Sequence, residues 1–293
     1  MNTLVYEKPK VVAEIGCNHK GDFLLAKEMI MKAKDCGADY VKFQKRHSKS
    51  LLTASQYDAP HPNPKNSYGE TYGKHREFLE FDAEQHEELS RYCAELGVGY
   101  STSVWDVKSA DEIIKLKPKF IKVPSACNNN FELLASLRDN FEGQVQISVG
   151  MTKGSEIESI VNFFEEKNQA NNRLMLYACT SGYPVPPKDA ALLEVTKLYE
   201  VFGERVSEIG YSGHHTGIFL DISAYTLGAR WIERHFTLDK TWKGTDHAAS
   251  LEPWELQELV SALNDVHLAL NYKGQDILPI EEVQRRKLKW KQR

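Results

Sequence analysis

Short apolar runs alternate along the chain with longer segments in which apolar residues recur at helical spacing. The short runs are apolar along most of their length, as strands buried on both faces of a parallel sheet are. We predict strands at Val11–Gly16, Tyr40–Gln44, Val98–Val104, Phe120–Ser125, Gln144–Val149, Arg173–Cys179, Val206–Gly213 and Arg230–His235.

The intervening segments carry the helical pattern. We predict helices at Asp22–Cys36, Ala83–Leu96, Ser109–Leu116, Phe131–Asn140, Gly154–Glu166, Lys188–Phe202, Ile218–Leu227 and Pro253–Leu270. Successive strand–helix units of this kind predict an α/β protein with a closed (β/α)8 TIM barrel as a single domain, and a doubly wound open sheet is the alternative. We assign residues 1–275 to the barrel and 276–293 to a C-terminal tail or linker remnant.

One segment interrupts the alternation. Residues 46–75 contain three prolines, two asparagines and several tyrosines and histidines, and they predict a long irregular loop after the second strand. Loops of this length in compact domains are usually lids or binding loops, although a disordered insertion has the same composition. Because the loop follows a barrel strand, we expect it to rise from the rim that carries the active site.

Composition narrows the class of protein. A net charge of −4 argues against nucleic acid or an anionic membrane as a partner. No apolar stretch is long enough to span a membrane and no secretory leader is visible, so we expect a cytoplasmic protein. The five cysteines are scattered without metal-binding spacing. No glycine-rich nucleotide loop and no Gly-x-Ser-x-Gly elbow occurs.

Polar side chains gather where the predicted strands end, which is where barrel enzymes build their active sites. Two of them, Lys42 and Lys122, lie inside buried strands and therefore need a negative partner. That partner is either an internal carboxylate, such as Glu14 or Glu233, or a bound anion. The many hydroxyls nearby favour a site for phosphate and carboxylate groups. The strand ends supply Glu14, Lys42, Gln44, Thr102, Lys122, Ser125, Ser148, Ser181, Ser212, His214, Glu233 and His235.

Two histidines end consecutive strands. His214 and His235 should lie on the same rim, with few other protein ligands near them. Either histidine alone would be read as a hydrogen-bonded strand end, but the pair indicates a catalytic metal with vacant positions, for which zinc, manganese and iron all fit. We expect the side chains of His61, His86 and His267 at the surface.

Seven stretches resemble, in this order, the sialic acid synthase family, whose members condense phosphoenolpyruvate with an N-acyl sugar aldehyde. The resemblance spans Val11 to about Glu282. The stretches are Ala13-Glu-Ile-Gly-Cys-Asn-His-Lys-Gly-Asp22, Gly37-Ala-Asp-Tyr-Val-Lys-Phe-Gln44, Ile121-Lys-Val-Pro-Ser125, Cys179-Thr-Ser-Gly-Tyr-Pro184, Gly210-Tyr-Ser-Gly-His214, Glu233-Arg-His-Phe-Thr-Leu-Asp239 and Gly244-Thr-Asp-His247.

The resemblance implies roles for individual residues. His214 and His235 match the ligands of a divalent metal, Mn²⁺ or Mg²⁺, and Glu14 matches the family's proposed acid/base. Tyr183 and Asp246 match contacts to the acceptor sugar. The positions that match phosphoenolpyruvate contacts are Lys42, Gln44, Thr102, Lys122, Ser125, Ser148 and Ser212.

Three departures from the family pattern concern the acceptor side and the chain end. The family's antifreeze-like domain does not follow the barrel in this sequence, so the domain is a separate chain, was removed, or is not needed in this subfamily. We expect the partner to be a second copy in a homodimer or a separate chain that carries the domain. Ser125-Ala126-Cys127 replaces the family's Ser-Gly-Glu, which puts Cys127 in the acceptor position of a glutamate. Ser212-Gly213-His214 replaces Ser-Asp-His, which removes a carboxylate from the neighbourhood of the metal.

The sequence thus predicts a metal-dependent transferase. It would condense phosphoenolpyruvate with N-acetylmannosamine or a related amino sugar, giving a nonulosonic acid and phosphate. The alternatives are a synthase of another 3-deoxy-2-keto sugar acid, a pyruvate-dependent aldolase that uses Lys122 as a Schiff base, and a non-catalytic relative that binds a sugar acid.

Overall fold

Eight parallel strands close into a barrel in a computed structural model that describes residues 6–290. Each strand pairs with its sequence neighbours, and β1 pairs with β8 to complete the ring. The barrel prediction is confirmed and the open sheet is excluded, with predicted strand limits within two residues of those observed. The strands are β1 (Lys10–Gly16), β2 (Tyr40–Lys45), β3 (Gly99–Val104), β4 (Phe120–Val123), β5 (Gln144–Ser148), β6 (Leu174–Cys179), β7 (Glu208–Gly213) and β8 (Trp231–His235).

Helices surround the barrel, and several begin at the side-chain caps that the sequence offers. The Asp22 carboxylate accepts hydrogen bonds from the backbone N–H groups of Leu24 and Leu25, and Asp82 and Gln85 form a capping box. The helices are α1 (Phe23–Asp35), α2 (Ser48–Leu51), α3 (Ala54–Asp58), α4 (Tyr72–Phe78), α5 (Ala83–Leu96), α6 (Val107–Ile114), α7 (Phe131–Asn140), α8 (Gly154–Glu165), α9 (Ala170–Arg173), α10 (Leu193–Phe202), α11 (Phe219–Thr226), α12 (Pro253–Ala269) and α13 (Pro279–Leu288).

The barrel contains two separate apolar cores. The larger one fills the layer between the strands and the surrounding helices. The smaller one lies inside the barrel near the strand starts and consists of Val12, Phe120, Met175, Tyr177 and Trp231, all at most 3% exposed. This plug closes the bottom of the barrel, so only the C-terminal ends of the strands are left to form a binding site.

The connection between β2 and α5, residues 46–82, differs from the irregular loop that the sequence suggested. It contains α2, α3 and α4 together with a 3-10 turn at Pro64–Asn66. The backbone N–H of Tyr72 donates to the carbonyl of Ala59 at 2.7 Å, which ties α4 to the end of α3. The Tyr68 hydroxyl donates to the carbonyl of Lys243 in the connection after β8. This β2–α5 segment is therefore an ordered wall across one side of the rim.

The last helix lies outside the barrel. α13 has no buried residue, and Ile280 and Leu288 on it are 80% and 77% exposed. The boundary that we predict after residue 275 falls between α12 and α13 and stays a prediction. Within residues 6–290, no helix has both the length and the apolar character needed to span a bilayer.

Candidate active site

Strand register brings the first charged residues together. Glu14 on β1 lies beside Lys42 on β2 and beside His235 on β8, because β1 is the strand between them in the closed ring. One strand further round the ring, Ser212 on β7 pairs in register with Glu233 on β8. Residues that are far apart in the sequence thus become neighbours at one end of the barrel.

Four charged side chains form the floor of the site, and each is at most 5% exposed. Lys42 forms an ion pair with Glu14, and its Nζ lies 3.7 Å from an oxygen of Glu233. Lys122 forms an ion pair with Glu233, whose Oε1 also accepts from the Ser212 hydroxyl at 3.1 Å. The internal ion pair, one of the two interpretations of the buried lysines, is therefore present for both of them.

The pKa values of Glu233 and Lys122 are set by burial and by the charges of the neighbouring floor residues. Burial alone would raise the pKa of Glu233, but the charges of Lys122 and Lys42 outweigh burial and lower it. Burial lowers the pKa of Lys122 against the pull of Glu233. With both lysines and both glutamates ionised, the charges of the floor sum to zero.

The predicted metal ligands face one another above this floor. The ring centres of His214 and His235 are 5.6 Å apart, and Tyr183 packs edge-on against His214 at 4.5 Å. Nδ1 of His214 lies 3.2 Å from the carbonyl oxygen of Thr180, so Nδ1–H donates there and the lone pair is on Nε2. Burial, followed by the charges of His235 and Lys122, lowers the pKa of His214 to about 3.

These histidines fit a divalent metal. His214 is neutral near pH 7, as a ligand must be, and the carbonyl of Thr180 fixes its tautomer by accepting from Nδ1–H. Nδ1 of His235 is buried without a hydrogen-bond partner. Across residues 6–290, no three His, Cys, Asp or Glu side chains group closely enough to hold a metal ion. A metal here would take two imidazoles from the protein and its other ligands from water or substrate.

Hydroxyls complete an inner cavity of about 340 Å³, whose wall also contains the four charged side chains of the floor, His214 and His235. Gly150 is essential to its shape, because a Cβ at this position would lie 2.6 Å from Oγ of Ser181 and 2.8 Å from Oγ of Ser125. The absent side chain lets these two hydroxyls converge. Of the predicted phosphoenolpyruvate contacts, the cavity wall contains Lys42, Gln44, Lys122, Ser125, Ser148 and Ser212.

Thr102 is the predicted donor contact that the structure places elsewhere. On β3 the side chains alternate, and it is Ser103 that lines the inner cavity, where its hydroxyl accepts from Nζ of Lys42 at 2.6 Å. Thr102 faces the opposite side of the strand. Because Ser101, Thr102 and Ser103 all carry a hydroxyl, the sequence does not show which of them point into the barrel. The register of β3 with β2 shows it.

Two interpretations of the departures from the family pattern also need correction. Cys127, expected to contact the acceptor, is 7% exposed and belongs to the outer apolar core, while Ala126 lines the inner cavity. A Cβ on Gly213 would meet the rings of Tyr211 and His215 within 3.0 Å. Position 213 therefore faces away from the cavity, and glycine there takes no carboxylate out of it.

A second, outer cavity of about 250 Å³ adjoins the first and shares Gln44, Trp105, Tyr183 and His235 with it. Asp246, a predicted acceptor contact, lies in its wall. Its remaining wall comes largely from the β2–α5 segment, through His61, Tyr72, His75 and Arg76.

The surface expectation for three histidines is wrong in two cases. His61 is 8% exposed, and His86 is fully buried with Nδ1 2.7 Å from the Tyr100 hydroxyl. His267 is partly buried. His61 in particular lies in the wall of the outer cavity, a position that no local sequence pattern predicts.

Polar and charged side chains that converge at the C-terminal ends of eight barrel strands define an α/β-barrel enzyme. The model of the NeuB family matches residues 29–275. The chain belongs to the NeuB family.

Individual relatives agree with this assignment. The chain is 40% identical over 271 residues to the N-acetylneuraminate-9-phosphate synthase of Homo sapiens, covering 92% of this chain and 74% of that one. It is 33% identical over 264 residues to the N,N'-diacetyllegionaminic acid synthase of Campylobacter jejuni, covering 90% and 78%. The crystal structure of N-acetylneuraminic acid synthetase from Leptospira borgpetersenii with citrate superimposes with a TM-score of 0.80 at 28% identity, covering 97% and 94%. The protein is an enzyme of this synthase class.

Proposed function

We propose that the protein condenses phosphoenolpyruvate with the aldehyde of N-acetylmannosamine or a related N-acylated amino sugar, giving a nonulosonic acid and phosphate. The inner cavity carries this proposal, because Lys42 and Lys122 meet the converging hydroxyls beside His214 and His235. A donor with one carboxylate and one phosphate requires this combination of ammonium and hydroxyl groups. The names of the relatives support the product class.

The reaction balances without a redox partner. C3 of phosphoenolpyruvate attacks the aldehyde carbon, and the aldehyde oxygen takes a proton to become a hydroxyl. Water adds to C2 of the donor, and the resulting tetrahedral intermediate expels phosphate with cleavage of the C–O bond. The products are the 2-keto acid and inorganic phosphate.

The lysines hold the donor. Phosphoenolpyruvate carries about 2.5 to 3 negative charges at neutral pH, whereas the floor is formally neutral. When the donor enters, Lys42 and Lys122 can share their N–H groups between the glutamates and the new anion, since each ammonium has three. Ser125 and Ser181 would donate to a donor oxygen in the space that Gly150 leaves open.

A divalent cation, Mn²⁺ or Mg²⁺, would be held by His214 and His235 and would supply Lewis-acid polarisation of the aldehyde. The formal neutrality of the floor supports this choice, because the excess negative charge of the donor needs an added positive charge in so buried a place. Thr180 orients His214 for that task through Nδ1.

Glu14 is placed to move a proton. Its Oε1 accepts from Nε2 of Gln44 at 3.1 Å, its other oxygen meets Lys42, and it lies beside His235 in the strand register. In the cavity wall it can take a proton from the water that adds to C2.

The test is a phosphate-release assay with phosphoenolpyruvate, Mn²⁺ and a panel of amino-sugar and neutral-sugar aldehydes, with product mass measured by mass spectrometry. We expect phosphate release that requires an N-acylated amino sugar and stops with chelator. Absence of release with every aldehyde, together with no heat of phosphoenolpyruvate binding by calorimetry, would rule the proposal out. Borohydride treatment with pyruvate separates it from an aldolase, since only a Schiff base at Lys122 would be trapped.

A further inference from the structure

Two charged side chains lie behind the inner cavity, on the helix side of the barrel wall. Arg234 on β8 and Asp221 in the first turn of α11 form an ion pair, and both are at most 1% exposed. We propose that this pair positions His214, by holding the turn after β7 in the conformation that keeps Nε2 of the imidazole available to a divalent cation. This inference rests on the proposed function, and it makes Arg234 and Asp221 positioning residues that act through His214.

Strand alternation puts Arg234 outside the barrel. Its neighbours on β8, Glu233 and His235, both line the inner cavity, so the side chain between them points toward the helices. The turn after β7 has the same division. His214 lines the cavity, whereas Nε2 of the next residue, His215, lies 3.1 Å from Nη1 of Arg234. On both strands, a residue of the cavity is therefore directly bonded to a residue of the cluster behind the wall.

Arg234 holds the backbone of the turn that follows His214. Its Nη2 donates to the carbonyl of His215 at 2.5 Å, and its Nη1 donates to the carbonyl of Gly217 at 2.7 Å. The guanidinium is planar, so its donors have fixed directions, and the carboxylate of Asp221 fixes the guanidinium in turn. The chain after His214 cannot rotate without breaking hydrogen bonds to a buried charge, which are stronger than neutral ones.

The connection after β6 holds His214 from the other side. The backbone N–H of Val185 donates to the carbonyl of His214 at 2.9 Å, and the carbonyl of Thr180 accepts from Nδ1. These two contacts fix the ring and the carbonyl of His214, while Arg234 fixes the chain that leaves it. Nε2 is then the ring atom left for a cation, in a place set by hydrogen bonds on both sides.

Gly213 leaves room for this arrangement. A Cβ at this position would lie 2.9 Å from Cε1 and 3.0 Å from Nδ1 of His215. The ring of His215 thus occupies the space that a side chain at position 213 would take, and from there Nε2 of His215 lies 3.2 Å from an oxygen of Asp221. The sequence Ser212-Gly213-His214 is therefore matched to the cluster behind the wall.

Stability alone does not account for the ion pair. Moving two charges out of water offsets most of their attraction, and an apolar pair of similar volume is often as stable. Within residues 6–290, Nε of Arg234 and Oδ1 of Asp221 have no hydrogen-bond partner, which adds a further desolvation cost. A fixed geometry next to a metal ligand does account for the pair, because groups that orient a ligand control the affinity for the metal.

The experiment measures Mn²⁺ binding to the full chain by calorimetry, without phosphoenolpyruvate. In Arg234→Met/Asp221→Ala, which removes both charges, we expect the Mn²⁺ dissociation constant to rise roughly 10- to 100-fold. The dissociation constant of phosphoenolpyruvate, measured without metal, should stay within about twofold, because Lys42 and Lys122 hold the donor from β2 and β4. Saturating Mn²⁺ should return most of kcat in the phosphate-release assay.

Two further variants complete the set. Arg234→Lys keeps the ion pair and loses the planar fork, so the Mn²⁺ dissociation constant should rise roughly 3- to 10-fold. It carries the test if thermal melting shows that the double variant does not fold. Arg205→Met is the matched control, because Arg205 pairs with Glu158 and Glu165 near the start of β7, at the other end of the strand. It should leave Mn²⁺ binding unchanged.

A Mn²⁺ dissociation constant within about twofold of the unmodified chain in the folded variant would overturn this inference and leave the proposed function standing. Equal losses of Mn²⁺ and phosphoenolpyruvate affinity would also overturn it, because a loosened barrel would then be the cause. If the unmodified chain bound no Mn²⁺, the inference would fall together with the proposed cation. Absence of phosphate release with every aldehyde, despite Mn²⁺ binding, would instead overturn the proposed function.

Discussion

The inner and outer cavities share a wall but are built on different principles. The inner cavity takes its charged groups from the ends of barrel strands, where each lysine has a carboxylate partner. The outer cavity takes its groups from short helices and turns of the β2–α5 segment, where Arg76 has aromatic neighbours and no carboxylate partner in the described part of the chain. The charged groups of the inner cavity neutralise one another, whereas the outer cavity carries the unpaired positive charge of Arg76 in the described part of the chain.

This difference assigns different tasks to the two regions. Strand ends in a closed ring of hydrogen bonds hold reacting groups rigidly, as bond formation requires. Helices as short as α2, with four residues, are held mainly by packing and caps such as the capping box of Thr53 and Gln56. We infer that the strands set the chemistry and the β2–α5 segment sets the acceptor.

The largest effect is expected from breaking the balance of the inner cavity with Lys122→Met. Loss of the ammonium should reduce kcat/KM for phosphoenolpyruvate by about 10²- to 10³-fold, because a charge that holds the donor is gone. It should also lower the free energy of unfolding by about 3 kcal/mol, since Glu233 stays buried without its closest partner. Phosphate release and urea unfolding measure the two effects, with exposed Lys119→Met as control.

The double variant Lys122→Met/Glu233→Gln separates these effects. Removal of the orphaned charge should return most of the lost stability and none of the lost activity. If activity returned together with stability, Lys122 would have a structural role only, and the inner cavity would not be a donor site.

A smaller effect is expected for Ser103→Ala on β3, and Thr102→Val on the same strand is its control. Ser103 contacts Lys42 in the inner cavity, so its loss should raise KM for phosphoenolpyruvate roughly 10-fold. Thr102 lies outside both cavities, and its near-isosteric replacement should leave KM within about twofold. The reverse order of effects in steady-state kinetics would contradict the strand register described above.

The smallest effect is a change in pH dependence in His75→Gln. The pKa of His75 is about 4 in the folded chain and 6.5 when unperturbed, so the unfolded state binds more protons between these values. The free energy of unfolding should therefore fall as the pH drops from 6.5 to 4, with about 1–2 kcal/mol of that fall due to His75. Urea unfolding at pH 7, 5.5 and 4.5 should show a shallower fall in the variant. Parallel curves would mean that burial and the neighbouring positive charges do not lower the pKa of His75.

The barrel and most of the inner cavity could be predicted from the sequence because both depend on local patterns. Apolar runs give the strands, and the C-terminal end of each run gives a wall residue such as Lys42, Lys122 or Ser148. It is harder to predict which side of the strand a given side chain faces. Thr102 and Cys127 are polar residues at the right strand end, yet each faces the helices, because the register and a turn after β4 decide the side.

The part of the outer cavity that the β2–α5 segment forms could not be predicted, because that wall depends on contacts between residues distant in the sequence. His61, Tyr72 and Arg76 meet through the packing of α3 against α4 and through the contact of Tyr68 with Lys243, which are invisible in the local pattern. The only sequence signal was the unusual length of the segment and its position after β2. That signal predicted a binding element and none of its residues.

The β2–α5 segment has one consequence for how such enzymes diversify. It leaves the barrel after Lys45 and returns at α5, so it is one contiguous segment between two scaffold elements. A graft that replaced residues 46–82 would rewrite Arg76 and both neighbouring histidines at once, while every strand-end residue kept its place. Exchange of this one segment would therefore alter the wall of the outer cavity and leave the strand-end residues of the inner cavity unchanged.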